Sequence, residues 1–391
     1  AGLSLGQKEN YTEKTKEAKE IREKFKEHIE RMFKVYGIKN AKKKAQLVYD
    51  LEMKIAEVSL TTTERRDVER MYNKMTLAKF KEKWPNIDIV SNVKRMYKLP
   101  DDCFEDVIVG NLRYFDWVNT FEPGMSADML KAYMEWDLIQ NTCNRLSDEC
   151  AEANFEFFGK VLEGKKEMKP RWQRCLSQVE GAFGQQIGKA YVEKYFPESS
   201  KKRMEELFSN LQKALAIRII EQDWMTSETK YAAIQKLSTF RVKIGYPDKW
   251  DDISEITIDP AKSYIENTQA VNEFKTIDHL RKTAGKKVDR TRWGMNPQTV
   301  NAYYTPTTNE ICFPAGILQP PYFNAEADDA ANYGAIGVVI GHEMTHGFDD
   351  KGSLFDMNGN MLKWWKQEDR EAFQKKADFF AEYFNDVEIL P

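Results

Sequence analysis

Histidine is scarce in this chain, with four among 391 residues. Charge of one sign is lacking as well. Against 59 basic residues stand 62 acidic ones, a formal charge of −3, which excludes the one-sided field of a nucleic-acid or anionic-membrane binder. No nucleic acid is therefore expected as a partner, and small molecules or peptides are. No apolar run approaches the roughly 20 residues of a membrane span, and no glycine-rich phosphate loop or G-x-S-x-G elbow is found. The five cysteines, Cys103, Cys143, Cys150, Cys175 and Cys312, are odd in number and make no C-x-x-C pair. That argues against a disulfide framework and a cysteine zinc site, and leaves them as small core residues. The start A-G-L-S-L-G-Q-K has no initiator methionine and no apolar signal-peptide centre, so the chain is expected to have been processed or cut from something longer. Asn10-Tyr11-Thr12 is a lone glycosylation sequon that decides no compartment.

Two of the four histidines are concentrated in Gly337–Asp350, G-V-V-I-G-H-E-M-T-H-G-F-D-D. On an α-helix, residues four apart lie about 40° from each other around the axis and one turn along it, so His342 and His346 can reach one ion. This is the H-E-x-x-H zinc pattern; at this histidine content, chance matches are expected on the order of a few per thousand chains of this length. Ile336, Val338, Val339 and Ile340 mark the helix as buried, and a buried imidazole needs a partner. A catalytic zinc takes three protein ligands and keeps a fourth position for water, and His342 and His346 supply two of the three. Glu343, about 100° around the helix from His342, would flank the ion as general base, passing a proton from water to the leaving amine; a surface carboxylate is its plainer reading. Asp349 and Asp350 could each fix a histidine tautomer, or could simply follow a helix that ends at Gly347. Asp356–Asn360 has its glycine misplaced for a calcium loop and reads as a turn. For the third ligand the only E-x-x-x-D after the motif is Glu382 to Asp386, which also reads as a polar pair on an amphipathic helix.

Upstream, apolar residues at helical spacing predict an amphipathic helix over 9–36, with Gly37 as its stop, and a second carrying Leu47, Leu51, Ile55 and Val58. Thr61 and Glu64 form a capping box for a third. Helical patterns continue through 129–162, 172–195 and 199–237. The first clear strand is 240–248, followed by 300–304 and 310–318. These strands precede the motif helix and offer an edge for an extended peptide. The expected division is a mainly helical domain, 1–238, and the N-terminal part of a zinc catalytic domain, 239–391.

Several blocks in order carry a resemblance: V-N-A-Y-Y from Val300, F-P-A-G-I-L-Q-P-P-Y-F from Phe313, N-Y-G-A-I-G-V-V-I-G-H-E-M-T-H-G-F-D-D-K-G from Asn332, and then Trp364-Trp365. R-R-D with Y-N at Arg65–Asn73, W-M-T-S-E-T-K at Trp224–Lys230 and K-I-G-Y-P-D at Lys243–Asp248 extend it over nearly the whole chain. The sequence resembles the neprilysin and endothelin-converting-enzyme family of zinc metallopeptidases. The resemblance implies an α+β, mainly α fold, in which a gluzincin-like catalytic domain with an H-E-x-x-H helix and a short sheet faces a large helical domain. It also implies a bound Zn2+ and cleavage of oligopeptides on the amino side of large hydrophobic residues. Asn301 and Ala302 match the pair that holds the substrate backbone, and Tyr322, Phe323, Val338 and Val339 match residues lining the pocket after the scissile bond. The family's third ligand is the glutamate of a G-E-N-x-x-D motif absent here. A C-terminal remainder of the same enzyme, supplying that glutamate beyond Pro391, is accordingly expected, with Glu382 as the alternative. A membrane-anchored or secreted, extracytoplasmic setting is implied too. The competing expectation is a noncatalytic peptide-binding relative or an inactive fragment of such an enzyme.

Overall fold

The computed structural model describes residues 2–121, 125–385 and 387–388. It is mainly helical with two small sheets and divides into two compact units, residues 1–182 with 253–288, and residues 183–252 with 289–391.

In the first unit the expected helix over 9–36 is two. Glu13 is extended, and the Thr15 side chain accepts from the Ala18 amide to start a new helix, Lys16–Val35. Gly37, at φ 67°, takes the left-handed conformation that closes it. Phe25, Ile29, Met32 and Phe33 have no exposed surface and pack with Val48 of the next helix, Ala41–Val58, and with Trp136. Each such side chain contributes about 1.5–3 kcal/mol by leaving water. The Thr61–Glu64 box forms reciprocally, at 3.0 and 2.8 Å, yet caps only one tight turn, because Asp67 caps a fresh short helix, Val68–Met71. A strand pair not expected from the sequence follows: β1, Asn73–Thr76, antiparallel to β2, Asp106–Val109. The expected helix over 129–162 is likewise broken, at Ser147, whose side chain caps Asp148–Asn154. Helix Tyr264–Thr283, opened by a Ser263/Glu266 capping box, was also not foreseen.

The division of the chain differs from the expected one at residue 238. Helix Arg171–Tyr195 is interrupted at Phe183, whose φ of −131° and ψ of 35° are not helical, and the second unit begins there. Helices Glu198–Ile220 and Ser227–Ser238 belong with the sheet rather than with the upstream helices. Their Met204, Leu207, Phe208, Ala233 and Leu237 share one core with Ile244, Ile311, Phe313, Ile336 and Ile340. The sheet in this unit has the order β3 (Arg241–Gly245), β5 (Glu310–Pro314), β4 (Tyr303–Thr305). Central β5 runs parallel to β3 and antiparallel to β4, and all five of its residues are buried. That leaves β4 as an edge, directly after Asn301 and Ala302.

Candidate metal centre

The H-E-x-x-H segment forms helix Ile336–Thr345, with His346 as its C-terminal cap. Two glycines and five β-branched residues make it a poor helix by propensity, so burial has to hold it. Ile336, Ile340 and Met344, at four-residue spacing, are at most 1% exposed. The opposite face carries Val338 and His342, both exposed. One amphipathic stripe therefore decides that the histidines look outward from the core of this unit.

The two imidazole Nε2 atoms lie 3.1 Å apart. His346 Nδ1 contacts Asp349 Oδ2 at 2.7 Å; a carboxylate only accepts, so Nδ1 carries the proton and the Nε2 lone pair points outward. Asp349 is itself fixed, its Oδ1 accepting from the Lys351 and Gly352 amides at 2.9 and 2.7 Å. Of the two aspartates the sequence left open, Asp349 thus meets a histidine, while Asp350 is exposed beyond it. Two nitrogens each bonded to one tetrahedral zinc at 2.0–2.1 Å would stand about 3.3 Å apart. The observed spacing and the Asp349-imposed tautomer fit two ligands of such an ion.

Glu343 is 6% exposed. Burial raises its pKa above the ordinary carboxylate value, opposed by attraction to His346 and His342 and by hydrogen bonding from the Tyr304 backbone. The edge strand thereby meets the carboxylate. Glu382 is not brought to this point: it is exposed on helix Gln367–Asn385, and among the described residues no three His, Cys, Asp or Glu are grouped to hold a metal. Glu382 is set aside as third ligand for that reason; Asp386 lies outside the described residues. Asp356 Oδ1 accepts from the Asn358 and Asn360 amides at 2.9 and 2.8 Å, so Asp356–Asn360 is a self-contained turn, as read.

The residues matched to substrate binding separate by exposure. Asn301 is exposed, its Oδ1 accepting from the Ala302 amide at 2.9 Å, and Ala302 is buried behind it. Tyr322 and Val338 are exposed at 42% and 66%, and Val339 is partly buried. Phe323, at 2%, is a core side chain packed with the others of this unit and presents no pocket surface.

One residue with a clear place at the centre carried no sequence signal. Lys236 reads as the polar face of a helix, yet is 1% exposed, and its Nζ donates to the carbonyls of Gly347, Gly352 and Phe355 at 2.7, 2.6 and 2.7 Å. Burial pulls its pKa down to about 7, against the attraction of Asp356 and Asp349. Among the described residues no helix is long and apolar enough to cross a membrane, and all five cysteines are free, four of them buried.

Comparison with known proteins supplies what the geometry alone does not. Endothelin-converting enzyme 1 of Rattus norvegicus is 31% identical over 403 aligned positions, covering 100% of this chain and 52% of the relative. The Homo sapiens enzyme of the same name is 33% identical over 355, covering 88% and 46%. The chain spans about half the length of these curated relatives. Among solved structures, the crystal structure of Mycobacterium tuberculosis zinc metalloprotease Zmp1 in complex with inhibitor superposes with a TM-score of 0.91 at 36% identity, over 99% of this chain and 58% of that one. PepO of Lactobacillus rhamnosis matches in fold, with a TM-score of 0.86 at 23% identity over 98% and 60%. Models of Peptidase family M13 match residues 1–247 and 301–390, so the second match takes in Asn301, the edge strand and the whole histidine helix. With both matches on one chain and the motif helix in place, the chain belongs to Peptidase family M13.

Proposed function

We propose that this chain carries the core of a zinc-dependent endopeptidase of oligopeptides, with His342 and His346 as two of its protein ligands and Glu343 as general base. The observation that carries the reading is the pair of Nε2 atoms 3.1 Å apart beside a buried carboxylate. When bound, zinc supplies Lewis acidity, lowering the pKa of water to about 7 and polarising a carbonyl. The remaining work belongs to side chains of the protein. Asp349 keeps the His346 proton on Nδ1, so the lone pair is always on the metal side. Glu343, made more basic by burial, takes a proton from the attacking water and delivers it to the leaving nitrogen. A third ligand comes from outside the described residues.

The substrate backbone lies along β4 and is held by Asn301 and Ala302. Tyr322, Val338 and Val339 receive a large apolar side chain after the scissile bond, and Phe323 backs them from the core. Val338 supports this placement: it is exposed and one helical turn before His342. Replacing Asn301 by alanine should lower kcat/KM by roughly tenfold or more through misplacement of the scissile carbonyl, with zinc content unchanged. Unaltered kinetics on several peptides would remove Asn301 from the site.

The reading is tested on the complete enzyme by zinc analysis together with chelator-sensitive cleavage of short peptides. Zinc-free protein that binds peptides without cutting them would instead establish the noncatalytic relative. The resemblance also carries an extracytoplasmic setting into this proposal, and cell fractionation placing the protein solely with cytosolic markers would refute that part.

A further inference from the structure

Lys236 has no part in the chemistry above, yet its ammonium stands at the root of the motif. The side chain has three donors, and three backbone carbonyls of one short loop, those of Gly347, Gly352 and Phe355, take them all. The rings of Tyr304, Phe348 and Trp364 stand around the nitrogen at 5.9, 5.7 and 5.4 Å. Three carbonyl dipoles aimed at one dry point repel each other unless a cation sits there. Lys236 in its ammonium form is that cation, and the three carbonyls favour the charge that burial opposes. The loop it gathers begins one residue after His346 and contains Asp349. It folds back tightly: a Cβ on Gly352 would stand 1.8 Å from the His346 carbonyl oxygen, and the Gly352 amide donates to Asp349.

The lysine is anchored independently of the loop. At the start of its helix the Thr226 amide and hydroxyl both donate to Asp369, at 2.8 and 2.6 Å. At the other end Asn309, fully buried, donates to the Lys236 carbonyl at 3.1 Å, and Tyr304 OH donates to Asn309 Oδ1 at 2.8 Å.

We infer that Lys236 is a positioning residue of the metal centre, which by caging the carbonyls of loop 347–355 holds Asp349 against His346 and so sets that ligand's direction. The inference rests on the proposed role of His342 and His346 as zinc ligands. It is tested in the full-length enzyme by chelator competition, which reads zinc affinity rather than turnover, on wild type, Lys236→Met, Asp349→Asn and the double variant. Lys236→Met should weaken zinc about 10–100-fold, the range for partners of metal-bound histidines. Because Lys236 acts through Asp349, the double variant should bind zinc no more weakly than Asp349→Asn alone. A merely structural lysine would lower Tm and leave zinc affinity at the wild-type value, and that result overturns the inference, as does a double variant in which the two losses multiply. Met204→Ala, in the core of the same unit, serves as the control that lowers Tm alone. Should Lys236→Met not fold, Lys236→Arg gives the same reading, since a planar guanidinium cannot present three donors from one nitrogen: weakened zinc supports the inference and unchanged zinc overturns it. A wild-type enzyme that binds no zinc overturns this inference and the proposed function together, whereas tight wild-type binding with unchanged Lys236 variants overturns this one alone.

Discussion

Glutamine at position 343 will leave zinc bound in the complete enzyme and slow peptide cleavage by roughly 10²–10⁴-fold, the contribution of general acid–base assistance. The substitution keeps the shape of a side chain that is 6% exposed and removes only its ability to take a proton. His342 and His346 are untouched, and so is the Asp349 contact that orients the second of them. Metal analysis and peptide kinetics on the same preparation separate the possible faults. Near-normal turnover would mean that Glu343 is not the base. Loss of zinc would mean that the buried carboxylate supports the helix end rather than the reaction. A wild type that binds peptide and cleaves none, with Glu343→Gln indistinguishable from it, would favour the noncatalytic relative.

What was legible in the sequence was what depends on neighbours along the chain. His342, Glu343 and His346 needed only the period of a helix, and the buried stripe Ile336, Ile340, Met344 that turns them outward obeys the same period. Strand β3 came from alternation followed by a turn, and the edge strand beside Asn301, expected over 300–304, is the shorter Tyr303–Thr305. Whether Asp349 fixes a histidine or only follows the helix end was not legible, because it depends on how the chain turns after Gly347. That turn is held by Lys236, more than 100 residues earlier, whose residue type alone suggests a solvated side chain.

The compact units divide the chain elsewhere than at residue 238 for a related reason. A change of composition near Thr239 marks where strands begin, whereas packing divides the chain at the interruption around Phe183. Helices Glu198–Ile220 and Ser227–Ser238 look like their upstream neighbours in pattern and differ only in what they bury against. Helices over 9–36 and 129–162 were read as longer than they are because apolar spacing continued across Thr15 and Ser147, side chains that end one helix by capping the next. The strand pair β1–β2 escaped because Asn73–Thr76 is a short, half-exposed run with little apolar alternation.

The remaining scarce histidine of the first unit's core gives the second large effect, one on acid stability. His28 is 5% exposed, stacked on Phe157 at 5.0 Å and edged by Trp136 and Phe158, and its Nε2 has no hydrogen-bond partner among the described residues. Burial, with the nearby charge of Arg31, drives its pKa down to about 3. The folded protein therefore keeps the imidazole neutral while the unfolded chain protonates it near 6.5, so the stabilising contribution is complete above about 6.5 and is lost as pH falls toward 3. At about 1.4 kcal/mol per pH unit, the loss at about pH 4.5 is on the order of 2–3 kcal/mol. Glu52 in the same unit acts in the opposite sense. Burial raises its carboxyl to about 6, against hydrogen bonds from Ser4 and Tyr11, so its contribution is present below about 4.5 and lost as pH rises through 6. The wild-type profile alone therefore hides the histidine, and the comparison that exposes it is with His28→Phe, which keeps an aromatic ring in the cluster and cannot be protonated. Measured by urea unfolding, the stability of His28→Phe relative to wild type should rise by about 2–3 kcal/mol between pH 7 and about pH 4.5, the Glu52 contribution cancelling between the two proteins. Parallel profiles would show that the imidazole is solvated or charged in the folded state, and that the aromatic cluster does not exclude its proton.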